Sequence, residues 1–224
     1  MIAVPYRLLR NVMVAAGVLY CSLILEIAAG FPLNVHQSFL SELGARDQPT
    51  GPYARAMDLG AGVLLIIAAI LGRAAARMHR DVAGLLIGTA IFGAGTLFDS
   101  ISPMDCAPSA SSACRDAEGS GQTGLALMLH EATSTIAGAG TIAMGVFALL
   151  VLRRSGWGGW LSKVVAALAA GVVVTQVWLG TVVAVETLSG GEVVAPGILQ
   201  RVSTVLFCVM LGTLLPGLRQ ALSR

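Results

Sequence analysis

Six apolar runs of 19 to 28 residues dominate this chain and leave few folds open to it. Crossing about 30 Å of hydrocarbon takes roughly 20 apolar residues in a helix that rises about 1.5 Å per residue. The runs cover Asn11–Phe31, Tyr53–Arg73, Val82–Ser100, Leu125–Leu152, Trp160–Glu186 and Pro196–Leu218. They are continuous rather than alternating, which excludes a membrane β-barrel. The whole chain, residues 1–224, is therefore expected to be a single all-α transmembrane domain of six helices. Composition agrees: 56% of residues are hydrophobic, 12% are charged and the mean hydropathy is +0.82, far from a soluble domain. The first run follows Arg7 and Arg10 and contains Glu26, so it reads as a retained helix and not as a cleaved signal.

Lysine and arginine placement sets the expected orientation. With both termini cytoplasmic, Arg7, Arg10, Arg73, Arg77, Arg80, Arg153, Arg154, Lys163, Arg219 and Arg224 lie inside, against Arg46, Arg55, Arg115 and Arg201 outside. A prokaryotic plasma membrane is the expected location. The acids lean outward: Glu42, Asp47, Asp58, Asp99, Asp105, Asp116, Glu118, Glu131, Glu186 and Glu192. Acids contribute little to insertion, so this skew needs another cause. A net charge of +2 and 5% aromatics carry no nucleic-acid footprint, and no nucleic-acid partner is expected.

Two cysteines, Cys106 and Cys114, fall in the long loop after the third span, on the oxidising side, and are expected to pair as a disulfide. Cys21 and Cys208 fall within spans, and no CxxC motif is present. The disulfide would pin the Ser- and Gly-rich stretch Ser102–Gly124 over the mouth of the bundle. His36 and His79 read as solvated loop residues. No internal repeat stands out, which weighs against an inverted-repeat transporter.

Depth arithmetic isolates a layer of charge. Glu26 lies sixteen residues beyond Arg10, about 24 Å of rise; Asp58 is about 22 Å from Arg73, Asp99 about 27 Å from Asp81 and Arg201 about 27 Å from Arg219. All four stop short of the outer surface, where each ionisable group costs roughly 2.5 to 3.5 kcal/mol on insertion scales. His130 and Glu186 each lie twenty-three residues from Arg153 and Lys163, about 34 Å of rise, and so sit at the outer rim. Gly84, Gly88, Gly95 and Asp99 share one side of the third span with Thr96 beside them. His130, Ser134, Gly138 and Thr141 repeat that pattern on the fourth, Gln176 and Gly180 follow on the fifth, and Arg201, Thr204 and Cys208 on the sixth. Small residues favour close helix contact, so these stripes are expected to converge. The plainer alternatives are Asp58 paired with Arg55, Arg201 as the counter-ion of Asp99, and Glu26 protonated against a carbonyl.

A carboxyl group in low dielectric holds its proton to neutral pH and can donate it to a water-poor substrate. Asp99 or Asp58, with Glu26, are thus candidate catalytic acids and His130 the candidate base or orienting partner. Arg201, Ser134, Glu186, Gln176 and Asp105 are candidate substrate contacts. The expected reaction is isomerisation or cyclisation of an isoprenoid or lipid-like molecule entering from the membrane, by analogy of architecture with small membrane terpene cyclases. No metal and no cofactor is expected, because neither an HExxH spacing nor a GxSxG elbow occurs. A proton-coupled transporter, a zinc-dependent intramembrane hydrolase using His130, His36 and an acid, and a non-enzymatic assembly or lipid-binding protein are the alternatives. Oligomeric state is open.

The strings SELGA at Ser41–Ala45, DSISPMDC at Asp99–Cys106 and LHEATS at Leu129–Ser134 resemble a prokaryotic family of six-span membrane proteins, the domain of unknown function number 998. The resemblance covers most of the chain. It implies the six-span fold and marks Asp99, Pro103 and His130, and it supplies no reaction. The Cys106–Cys114 loop has the look of an insertion belonging to a subgroup.

Overall fold

A computed structural model describes residues 6–77, 79–120, 124–156, 158–189 and 196–222, without the side chains of residues 118, 119, 186, 187 and 222. The described chain is helical: α1 (Tyr6–Tyr20), α2 (Leu23–Ala28), α3 (Gly51–Gly72), α4 (Arg80–Ile101), α5 (Ser112–Gly119), α6 (Leu125–Arg154), α7 (Gly159–Ser189) and α8 (Pro196–Leu222). Among the described residues no strand occurs. Five helices, α3, α4, α6, α7 and α8, are long and apolar enough to cross a membrane, which makes this a multi-pass membrane protein. The sixth expected run is not one helix. It breaks at Cys21 and Ser22 into α1 and α2, and α2 closes with Gly30 at φ 72° and Phe31 at φ 56°.

Packing follows chain order around a closed ring: α1 touches α3, α3 touches α4, α4 touches α6, α6 touches α7, α7 touches α8, and α8 returns to α1. Close approach depends on small residues, as the stripes predict. A Cβ on Gly88 would stand 2.9 Å from the Met144 nitrogen, and one on Gly140 would stand 2.4 Å from the Phe92 nitrogen, so α4 and α6 meet backbone to backbone. Gly62 and Gly93 do the same between α3 and α4. Gly180 departs from the expected stripe, with open space around it.

Met13, Ala16, Leu65, Leu85, Phe92, Met144, Phe207, Met210 and Leu211 fill the ring's axis. Tyr20, Phe92 and Phe207 stack edge to face across it, with centroids 4.6 to 5.7 Å apart, the arrangement aromatic quadrupoles favour. On one side of this triad, towards Leu9 and Leu214, lies an apolar cavity of about 40 Å³ lined by Met13, Leu85, Leu86 and Thr89. On the other side lie the polar residues.

That polar end carries a cap. The segments between α2 and α3 and after α4 share a second apolar cluster of Leu33, Leu40, Leu43, Ala45, Ala54, Met104 and Ala107. Pro103 follows the end of α4, where it cannot extend the helix, and turns the chain into this cap. Gly51 opens α3 with room for no side chain, since a Cβ would lie 2.4 Å from the Ala45 carbonyl oxygen; Pro52 follows in the first turn, where a missing N–H costs nothing. Cys106 and Cys114 stand at disulfide distance, Cα to Cα 6.1 Å, and the stretch between α4 and α6 also forms α5 rather than a loop throughout. His79 caps α4 with its side chain partly exposed: its Nδ1 accepts from the Asp81 N–H at 3.1 Å. His36 is exposed.

Candidate functional site

The acids at the capped end separate into three groups with different work to do. The first group closes the cap. Glu42 is buried at 3% exposure and accepts from the Phe39 N–H at 2.8 Å, the Ser109 N–H at 2.9 Å and the Ser109 hydroxyl at 2.5 Å. Asp47 accepts from the Ala107 N–H at 3.1 Å. These carboxylates satisfy backbone donors that an apolar cap would otherwise strand, which accounts for part of the outward skew of acids. Asp105, a candidate substrate contact, pairs instead with Arg46 at 2.6 Å on the surface, each side chain more than half exposed.

The second group is an ion pair. Glu26 is fully enclosed and Arg201 is 6% exposed. Arg201 Nε donates to Glu26 Oε2 at 2.9 Å, and its Nη2 donates to Glu26 Oε1 and to the Ser38 hydroxyl. Its Nη1 faces the carbonyls of Ser38 at 2.8 Å, Val35 at 3.1 Å and Gly197 at 3.1 Å. The guanidinium has five N–H donors, and all point into this nest. Arg201 is therefore neither the counter-ion of Asp99 nor a free substrate contact, and Glu26 is held by salt bridge rather than protonated against a carbonyl. The break between α1 and α2 lets Glu26 turn to meet it, because a charge at that depth is tolerated only when paired. The pair ties α2, the 34–38 segment and α8 together.

The third group is the candidate site. Asp99, near the end of α4, faces the first turns of α6. Its Oδ1 accepts from the Ser134 hydroxyl at 3.0 Å, lies 2.7 Å from the Thr133 hydroxyl and is 3.0 Å from His130 Nδ1. Thr133 also has the Leu129 and His130 carbonyls within 3.0 Å. The imidazole contact is off the line of a hydrogen bond, so His130 Nδ1, in a residue 8% exposed, has no hydrogen-bond partner among the described residues. Spacing explains the cluster: His130, Thr133 and Ser134 are three and four residues apart and share one face of α6. Every contact falls on Oδ1; among the described residues Oδ2 takes none.

Asp58 comes to the same layer from α3. It is close enough to interact electrostatically with Asp99, and both act on Tyr20, whose ring belongs to the aromatic triad. Arg55 donates to the Gly44 carbonyl at 3.1 Å, and among the described residues no ion pair joins it to Asp58. Gln176 accepts from the Ser203 hydroxyl at 3.2 Å and stands beside Gly138, so it joins α7 to α8 and borders α6. The Glu186 side chain and Glu192 lie outside the described residues. Among the described residues, no group of three or more His, Cys, Asp or Glu is placed to hold a metal ion.

Thr133 and Glu42 are given no site role by the sequence reading. Thr133 sits three residues after His130, at the helical spacing that would have found it. Glu42 belongs to the SELGA string, but its partner Ser109 lies 67 residues away and no local pattern announces it. No curated protein and no solved structure matches the chain. The match that does exist spans residues 13–215 and nearly every element described above, and by it the chain belongs to the family described as Protein of unknown function (DUF998).

Proposed function

We propose that this protein is a six-span enzyme of the prokaryotic plasma membrane, with both termini cytoplasmic and a site opening outward, that performs acid–base chemistry on an isoprenoid or lipid-like substrate. The single observation that carries the reading is the Asp99–His130 contact at 3.0 Å with Asp58 in electrostatic range. Two carboxyls and an imidazole drawn from three helices are more than a structural bundle needs. Asp58 donates a proton to an alkene carbon of the substrate. Asp99 Oδ2, steadied through Oδ1 by Ser134 and Thr133 and backed by His130, takes a proton from the adjacent carbon, giving isomerisation or ring closure. Two groups in different environments can so divide the acid and base roles.

The six-span count is supported by α1, which closes the ring between α8 and α3 although it is not long enough to cross alone, and by α2, which continues the same run. The aromatic triad beneath the layer favours a closed-ended pocket over the transporter alternative, since a relay would have to continue through Tyr20, Phe92 and Phe207. Glu26 and Arg201 are assigned to the scaffold in this reading. The test is a lipid extract incubated with protein in nanodiscs and compared by mass spectrometry and chromatography. Conversion of a component by the wild type, lost in Asp99→Asn, Asp58→Asn and His130→Ala while all three stay folded, is the expected result. Full conversion by all three variants would remove the site.

A further inference from the structure

Helical hydroxyls in this protein follow a common habit. Thr89, Thr135, Thr141, Thr175, Thr181 and Thr213 each donate to the carbonyl oxygen four residues back, at 2.7 to 3.1 Å. This bond is open to any helical threonine and lets it lie in an apolar setting without an orphaned donor. Among the described residues Thr96 and Thr204 do not make it, and of the two Thr96 is the one whose hydroxyl is fully enclosed. The residue is 3% exposed, and its Oγ1 is enclosed with no hydrogen-bond partner among the described residues.

Its position gives that exception meaning. Gly95 packs on Ala137 of α6, and Gly93 packs on Gly62 and Leu65 of α3. Thr96 lies between those directions, on the stripe with buried Leu85, Thr89 and Phe92, and so faces the axis of the ring. By helical rise it lies about 4.5 Å below Asp99 and about 6 Å above Phe92, between the carboxyl and the aromatic floor. A second unpartnered polar atom, His130 Nδ1, enters the same layer from the opposing helix. An enclosed hydroxyl without a partner is costly, and this one has turned away from a free acceptor on its own helix. Both facts are explained by an acceptor supplied from outside the chain.

We propose that Thr96 receives an oxygen atom of the substrate, so that the pocket takes a hydrophobic chain ending in a hydroxyl group and not a bare hydrocarbon. The Thr96 hydroxyl donates to the substrate oxygen. This deepens the acid–base reading and rests on it for the identity of the site.

The test measures binding alone, with two C15 isoprenoid probes, farnesol and the corresponding hydrocarbon farnesene, on full-length protein in detergent micelles. Wild-type protein is expected to bind farnesol at least tenfold more tightly than farnesene. Thr96→Val, which keeps the shape and deletes the hydroxyl, is expected to bring farnesol down to the farnesene level, and Thr96→Ser to retain the preference. The ligand-free Thr96→Val protein is expected to melt no lower than wild type. Equal binding of the two probes by wild type, no binding of farnesol, unchanged preference in Thr96→Val, or a lower melting point of that variant without ligand would each overturn the assignment. Its failure is separable from that of the catalytic reading: lipid conversion that depends on Asp99 and His130, with no Thr96-dependent probe preference, sinks this inference alone.

Discussion

Replacing Arg201 with methionine should be among the most damaging single changes outside the tightly packed glycines, and its size can be worked from the contacts. The substitution keeps an unbranched side chain on α8 and removes every donor in the nest. Glu26, with no exposure, loses its counter-ion, and the Ser38, Val35 and Gly197 carbonyls lose a donor. Breaking one side of a buried ion pair costs about 3 to 5 kcal/mol, and each stranded polar group adds about 1 to 3 kcal/mol where water cannot reach it. The variant is therefore expected to lose at least about 3 kcal/mol of stability by these figures. Reversible unfolding in mixed micelles of dodecyl maltoside and SDS measures it. Adding Glu26→Gln should recover a substantial part, because the orphaned charge is then gone. Asp105→Asn, which cuts an exposed pair with Arg46, should cost no more than about 1 kcal/mol. A loss below about 1 kcal/mol for Arg201→Met, or no recovery in the double variant, would refute the assignment of this pair to the scaffold.

Three further outcomes follow from packing and from the cap. Gly140→Val should abolish folded yield by fluorescence-detected gel filtration, since its Cβ would fall 2.4 Å from backbone of α4, whereas Gly180→Ala, with open space around it, should change nothing. Glu42→Ala should release the segment bound through Ser109 and increase protease cleavage within residues 102–111 by more than tenfold, while the melting of the helical ring shifts far less. Cys21 and Cys208 are free thiols near the place where α1 and α8 cross, a Cβ on Gly17 standing 3.0 Å from the Cys208 carbonyl oxygen. Copper phenanthroline should cross-link them, and peptide mapping that finds no Cys21–Cys208 disulfide would contradict the crossing.

Much of the helix plan is legible because hydrocarbon thickness fixes how long an apolar run must be, and five of the six runs do form long helices. The stripe of Gly84, Gly88 and Gly95 is legible for a similar reason, since helical periodicity states which residues share a side. The break at Cys21 and Ser22 is not, for neither glycine nor proline marks it. Depth arithmetic finds the height of Glu26, Asp58, Asp99 and Arg201 but not their bearing around each helix or which helices are neighbours. It therefore merges two groups that the fold keeps apart. The acids of the cap are visible as an imbalance of charge, while their partners are backbone N–H groups of loops about 60 residues away, a kind of contact that composition does not record.

The central claim is that Asp58, Asp99 and His130 move protons to and from carbon. Protein in nanodiscs, supplied with a lipid extract in heavy water, tests it whichever lipid is the substrate, because a proton delivered to carbon leaves deuterium that does not wash out. The account predicts one lipid component gaining non-exchangeable deuterium with the wild type, and none with Asp99→Asn or His130→Ala. Labelling that is absent with the wild type, or equal in all three proteins, would contradict it.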